Sequence, residues 1–296
     1  MTKHVPVLAK EVVDWLKADQ GGVFLDGTLG GGGHTKAILE ANRNNIVIAC
    51  DRDPKALGFN LESEERLTVI TSNYSEIFSI VPHTKFNGVL LDLGLSTDQL
   101  YSKRGFSFMD QNSLDMRMDG DGNRKTAQEI LNTSPPNELR LILKRGGVGK
   151  ELNPVMTAIL KDRPFDSAED LAVSIKKRFP KPTKSHPATV VFQALRIAVN
   201  DEFIHLNSFL DNVVDFVRPK SRLAIISFHS LEDEVVTKRF RKWEGERPPA
   251  NYPGAKEKKG IGKLLTKKAV TPKEDETERN PASRSARMRV FEFYES

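Results

Sequence analysis

A chain of 296 residues, 38% hydrophobic and 29% charged, is long enough to bury a sizeable core and has the composition of an ordinary globular protein. No stretch approaches the roughly 18 uninterrupted apolar residues of a membrane span. Lys3, Lys10, Glu11 and Asp14 interrupt the N-terminus where a secretion signal needs an apolar run, so a cytoplasmic protein without membrane attachment is expected. A single cysteine, Cys50, excludes an internal disulfide and a multi-cysteine metal site. The six histidines show no ligand spacing, so no metal is expected.

The net charge of +5 is unevenly placed. Between Lys238 and Arg289 sixteen basic residues face seven acidic ones, leaving the remainder of the chain slightly acidic. A basic C-terminal region suits a polyanionic partner, because each neutralised phosphate releases counterions. A solvated, charged tail has the same composition.

In chain order, Leu8, Val12, Trp15 and Leu16 share one helical face. Val23–Leu25 reads as a strand that runs into a glycine cluster, followed by a helix from Thr35 to about Asn42. Further strands are expected at Ile46–Cys50, Leu67–Ile70 and Gly88–Leu93. This alternation is the pattern of a parallel sheet built from βαβ units. From about Phe106 to Pro187 it breaks into polar, Pro- and Gly-punctuated sequence with helical pattern, best at Asn137–Lys144 and Ala168–Phe179. The rhythm resumes with a long helix ending near Val217 and a strand at Arg222–Phe228. A final alternating strand at Met288–Tyr294 suits a sheet edge. The stretch Glu244–Asn280, rich in Pro, Gly and charge, reads as a long loop. The expected fold class is α/β: a Rossmann-like domain, residues 1–105 and 188–296, interrupted at 106–187 by a mostly helical insertion.

Asp26-Gly27-Thr28-Leu29-Gly30-Gly31-Gly32-Gly33-His34 sits where the first strand turns into a helix. Glycines there admit positive φ and close approach of a ligand, and the helix start offers free N–H groups to an anion. Asp51 ends the next strand, where a carboxylate can accept from both ribose hydroxyls. The glycine spacing does not complete the Gly-x-Gly-x-x-Gly fingerprint of nicotinamide enzymes, which favours a nucleoside bearing a methionine carboxylate, S-adenosyl-L-methionine. Asp92, in Leu91-Asp92-Leu93-Gly94-Leu95-Ser96, ends a later strand on the same ligand-facing side, to meet cofactor or substrate amine.

In these residues and in further blocks along its length, the chain resembles the bacterial 16S rRNA (cytosine-N4)-methyltransferase family, RsmH/MraW. The resemblance runs nearly end to end. It rests on His4–Leu8, the glycine cluster, Asp51–Pro54, Asp92–Ser96, Arg104–Met109 and Leu114–Asp119. It continues through His186–Thr189, Phe192–Ile197, Ile226–Asp233, Asn280-Pro281 and Ser283–Ser285. The blocks Phe228–Asp233 and Arg104–Asp119 are the most specific. Tyr74 replaces the usual Phe, Leu95 and Thr97 replace Val and Ser, and Arg145–Gly149 replaces a Tyr-Gly-Glu-like turn.

The resemblance implies methylation of the exocyclic N4 of one cytidine in the decoding region of small-subunit (16S) rRNA, within the small ribosomal subunit. It places cofactor contacts on Gly32, Gly33, His34, Asp51, Tyr74, Asp92 and Gln99. Cytosine's amine has its lone pair delocalised into the ring and needs an acceptor to turn it. Asp92 and Ser96 stand where other amino-methyltransferases carry an Asp/Asn-Pro-Pro-aromatic loop. His229 is a second candidate proton acceptor. An unstacked base can be gripped by Phe106 and Phe108 beside Arg104, while Arg196, Arg284 and Arg287 are candidate RNA contacts. Each has a structural alternative: the aromatics as a hydrophobic seam, Arg196 as the partner of Asp201 or another carboxylate, His229 as the brace of a turn. Two other functions share these features, a methyltransferase acting on another RNA or a non-RNA amine, and a non-catalytic ribosome-assembly factor.

Overall fold

A computed structural model describes residues 6–54, 64–95, 97–100, 102–120, 124–179, 186–246 and 258–295. The chain forms two compact units, one of residues 1–94 with 205–296 and one of residues 95–204.

The first unit opens with α1 (Ala9–Leu16), β1 (Gly22–Asp26), α2 (Gly33–Ala41), β2 (Asn45–Asp51), β3 (Leu67–Thr71), α3 (Ile77–Ile80) and β4 (Phe86–Asp92). The second unit follows with α4 (Thr97–Leu100), α5 (Ala127–Thr133), α6 (Pro136–Arg145), α7 (Leu152–Asp162), α8 (Ala168–Lys176) and α9 (Thr189–Asn200). The chain then runs through α10 (Glu202–Asn212) into the rest of the first unit. That part holds β5 (Val217–Ser227), α11 (Ser230–Glu244), β6 (Gly245–Glu246), β7 (Lys258–Lys259), β8 (Gly262–Leu264), α12 (Glu274–Arg279) and β9 (Arg287–Phe293).

Seven strands form one sheet in the order β3-β2-β1-β4-β5-β9-β8. The first five are parallel, while β9 runs antiparallel to β5 and β8 antiparallel to β9. The order reverses between β1 and β4, which is where an open α/β sheet leaves a crevice beyond its carboxyl ends. Strand alternation separates two cores. Leu25, Cys50, Val89, Leu91, Leu223, Ile225 and Phe291 pack on one face with Phe209 of α10 and Phe240 of α11. Phe24, Ala49, Leu90, Ala224, Ile226 and Val290 pack on the other with Val12 and Leu16 of α1 and Ile38 of α2. A strand covered on both faces cannot alternate apolar with polar, and the continuous run Val89-Leu90-Leu91 of β4 is the result. Cys50 is fully buried in this packing, which pushes its thiol well above the ordinary range.

Two expectations change here. The last strand is not the sheet edge: β9 is paired on both sides, and the three-residue β8 takes the edge. β8 lies within the stretch read as a loop, which also contains α12. Three residues are too few for any periodicity, so only pairing with Phe291–Phe293 defines the strand. Residues 247–257 of that stretch lie outside the described residues.

The second unit is helical, with Leu131, Leu139, Leu143, Val155, Ile159, Leu171 and Leu195 at its centre. A capping box joins Thr126 and Glu129 at α5, and Ser167 caps α8 by accepting from the Asp170 N–H. α7 escapes the sequence reading because Pro154 suggests a break, yet it sits in the first turn, where a missing N–H costs no helical bond. The single long helix expected before β5 is broken. Asp201 adopts φ 50°, the left-handed region, and separates α9 from α10.

Asn200, the last residue of α9, explains what that break serves. It is fully buried. Its Nδ2 donates to Met116 O at 2.7 Å and Arg196 O at 2.9 Å, and its Oδ1 accepts from the Met118 N–H at 2.9 Å. Arg104 donates to Arg117 O and Met118 O at 3.1 and 2.9 Å, so one buried amide and one guanidinium hold the same irregular loop. Asn200→Ala orphans several buried backbone groups and is expected to lower the unfolding free energy by about 2–3 kcal/mol, measured by urea denaturation. A loss under about 0.5 kcal/mol would show that water replaces the amide.

Candidate cofactor and methyl-transfer site

The carboxyl ends of β1, β2 and β4 each finish on an aspartate: Asp26, Asp51 and Asp92. Asp26 is fully buried and builds the glycine loop. Its Oδ1 accepts from the Thr28 N–H at 3.1 Å and its Oδ2 from the Thr35 hydroxyl at 2.7 Å. Thr28 then uses its Oγ1 to accept from the Asp92 N–H at 2.7 Å, which ties the ends of β1 and β4 together. Asp51 reaches the same loop, accepting from the Gly30 N–H at 2.8 Å and the Asp53 N–H at 2.9 Å. Burial pushes its carboxyl above the ordinary range, against the pull of those two N–H groups.

Gly32 caps α2 at φ 72°, a conformation that charges a side chain for its Cβ. Gly33 is required by packing: a Cβ there would lie 2.9 Å from the Pro6 ring. No side chain among the described residues caps α2, so its first N–H groups and the positive end of its dipole are available to an anionic group.

His34, 5% exposed, is held by Nε2 against Val7 O at 2.8 Å, with Nδ1 3.6 Å from Asp92 Oδ2. The Asp92 Oδ1 atom is buried and has no hydrogen-bond partner among the described residues. Burial pushes the Asp92 carboxyl up to about 6; His34 pulls it down, and Asp26 and Glu232 push it further up. Tyr74 stands edge-on to Phe209 with ring centroids 5.7 Å apart, beside the loop at Gly27. Gly32, Gly33, His34, Asp51, Tyr74 and Asp92 therefore gather in the first unit around the ends of β1, β2 and β4.

The other sequence candidates lie in both units. Ser96 lies outside the described residues. Gln99, Arg104, Phe106, Phe108 and Arg196 belong to the second unit. Gln99 is buried. Phe106 is buried in the helical core, with the Arg104 guanidinium 5.8 Å from its ring centre. Phe108 is half-buried between His186 and Phe192, with ring centroids 5.0 and 4.6 Å away. Arg196 holds Glu202 through two bonds of 2.7 and 2.8 Å. His229 caps α11: its Nδ1 accepts from the Glu232 N–H at 3.3 Å, and its Nε2 lies 3.0 Å from Glu232 Oε1. Arg284 and Arg287 are exposed, and Arg287 lies 3.8 Å from Asp233.

Asp26, Thr28 and Val7 are absent from the sequence candidates for the site. Asp-Gly-Thr ahead of the glycines carried a signal for the first two, since Asp readily accepts from the N–H two residues on. Val7 acts through its carbonyl, which no side-chain pattern reveals.

The open start of α2 and the carboxylate of Asp51 supply the donors and the acceptor that an amino-acid group and a ribose require. No helix among the described residues is long and apolar enough to cross a membrane. The chain is 38% identical over 302 residues to the ribosomal RNA small subunit methyltransferase H of Sulfurimonas denitrificans, covering 98% of both chains. Its counterpart in Halothermothrix orenii is 39% identical, with 99% of each covered, and that of Nostoc punctiforme is 40% identical, with 98% of this chain and 93% of that one covered. The profile of the MraW methylase family matches residues 1–294. The cofactor is S-adenosylmethionine. With its glycine loop, its three strand-end aspartates and this match over nearly the whole length, the chain belongs to the MraW methylase family.

Proposed function

We propose that the protein methylates small-subunit ribosomal RNA at the exocyclic N4 of a cytidine in the decoding region. The relatives' names support the RNA class. The observation that carries the chemistry is the buried, unpartnered Oδ1 of Asp92 at the mouth of the glycine loop. The open N-terminus of α2 holds the carboxylate of the amino-acid group, and Asp51 the ribose. S-adenosylmethionine supplies an electrophilic methyl group carried on a sulfonium.

The chain's own residues have two tasks. They hold the amine in line, which contributes on the order of 7–11 kcal/mol to lowering the barrier, and they take its proton. Asp92 Oδ1 accepts a hydrogen bond from the amine, turning its lone pair out of the ring, and then receives the proton that the alkylated nitrogen sheds. A carboxyl pushed up to about 6 is largely ionised at neutral pH yet basic enough for that transfer. His229 is occupied with Glu232 at the start of α11, which favours Asp92 over it as the acceptor. The basic C-terminal segment and the helical second unit are assigned to the RNA.

Incubating the protein and S-adenosylmethionine with small subunits that lack the modification, then digesting the RNA for mass spectrometry, should yield N4-methylcytidine. Methylated nucleosides of any other kind would redirect the substrate assignment. Asp92→Asn is expected to lower turnover by about 10²–10⁴-fold, because the amide cannot accept the proton. Calorimetry should find its cofactor affinity less affected than its rate. The rate should also fall about tenfold per pH unit below about pH 6, where Asp92 becomes protonated, rather than near 3.8 as for an ordinary Asp. A profile flat from pH 8 to about 5 would exclude Asp92 as the proton acceptor.

A further inference from the structure

We propose that His34 is a positioning residue for Asp92: its imidazole, anchored on the Val7 carbonyl, occupies the Oδ2 side of the carboxylate and so reserves Oδ1 for the substrate amine. This rests on the methyl-transfer role assigned to Asp92 above.

A neutral imidazole has one nitrogen that donates and one that accepts, and an imidazolium has two that donate. A backbone carbonyl only accepts, so the 2.8 Å contact with Val7 O places a proton on Nε2 of His34. Nδ1 then faces Asp92 Oδ2 at 3.6 Å. A bare Nδ1 lone pair against an ionised carboxylate would set two acceptors against each other. The pair is therefore stable with one proton between its members, as imidazolium and carboxylate or as imidazole and carboxylic acid. At 3.6 Å the contact is electrostatic and longer than a hydrogen bond, leaving room to tighten when a ligand engages the other oxygen.

The anchor is itself fixed. The Pro6 ring packs against Gly33, one residue before His34. On the other side of Val7, the Leu8 N–H donates to Glu276 Oε1 of α12 at 2.7 Å. The segment Pro6–Leu8 is thus clamped from the glycine loop and from the C-terminal part of the chain. Both ring nitrogens of His34 face protein groups, so a bound cofactor would meet this residue through its backbone N–H in the first turn of α2.

The charged groups acting on Asp92 are His34 from α2, Asp26 from β1 and Glu232 from α11. Of the three, only His34 favours the ionised carboxylate. In the reaction, the amine lone pair forms the new N–C bond, the electrons of the broken C–S bond stay on sulfur, and the proton leaves nitrogen for Asp92 Oδ1. Removing the imidazole should therefore raise the pH below which Asp92 is protonated and unable to accept.

The test uses the cofactor-free full-length protein first. Long-range ¹H–¹⁵N spectra, with His34 assigned by its loss in His34→Gln, should show its Nε2 protonated, and ¹³C labelling should follow the Asp92 carboxyl through its titration. In His34→Gln the glutamine amide still reaches Val7 O but leaves Oδ2 without a neighbour. The Asp92 titration and the acid limb of turnover should both move upward. His34→Asn puts an amide N–H near the position of Nδ1 and should return the Asp92 titration towards wild type. Thermal melting of both variants separates these shifts from unfolding. An Asp92 titration that is the same in wild type and His34→Gln overturns the positioning role, even where RNA methylation is observed. If wild type methylates no RNA amine while the Asp92 titration does move in His34→Gln, the amine as partner of Oδ1 is overturned and the reaction fails rather than the pairing.

Discussion

The site depends on one buried carboxylate that touches no ligand atom in the mechanism. Asp26 has no exposed surface, and a charge in that position is tolerated only because its oxygens are satisfied by the Thr28 N–H and the Thr35 hydroxyl. Hydrogen bonds to a buried charged group contribute about 1.5–3 kcal/mol each, and losing one leaves the charge uncompensated. These bonds give the glycine loop a single shape. Thr28 passes that shape to β4 by accepting from the Asp92 N–H, and Thr35 places the first turn of α2 and with it His34. Asp51 closes the loop from β2 through Gly30. Three neighbouring strands thus share one hydrogen-bonded frame, and the atoms proposed to meet the ligands are those left over when its internal bonds are made.

Charge is arranged by the same logic of pairing. The excess of basic residues between Lys238 and Arg289 reads as a nucleic-acid footprint, yet much of it is engaged within the fold. Arg289 holds Asp233 through bonds of 2.7 and 2.9 Å, Lys263 lies 3.0 Å from Glu292, Arg279 pairs with Asp275, and Arg239 pairs with Asp211. Arg222 also holds Glu292, at 2.9 Å. Exposed pairs of this kind add little to stability, but the Arg289 pair is mostly buried and fixes α11 against β9. Arg284 and Arg287 remain outward and keep their place in the proposed RNA contact.

Much of the fold was legible because the parallel strands are short apolar runs and the helices between them are periodic. β1, β2, β4 and β5 fall where hydrophobic runs place them, and the aspartates that end β1, β2 and β4 follow from that placement. The misreadings share a cause, which is that local pattern carries no information about distant pairing. β8 is three residues long and exists because β9 lies beside it; α7 contains a proline whose position within the first turn decides its harmlessness; the break at Asp201 is set among buried partners of Asn200 eighty or more residues away. The aromatics of Arg104–Met109 divide in the same way. Phe106 is drawn into the helical core, and Phe108 retains exposed surface against His186.

The sequence by itself determined the class of the sheet, the aspartates at its strand ends, the glycine loop and the family, because these are written in consecutive residues whose spacing has a direct physical meaning. The tertiary structure alone decided which groups are spent on the fold and which remain for chemistry. It committed Asp26 to the loop, His229 to the cap of α11 and Arg196 to Glu202, and it left Asp92 Oδ1 unpartnered. A residue's chemistry is fixed by its type, but its availability depends on who else has claimed its lone pairs and protons. Those claimants, such as the Val7 carbonyl facing His34, come from parts of the chain that only folding brings together.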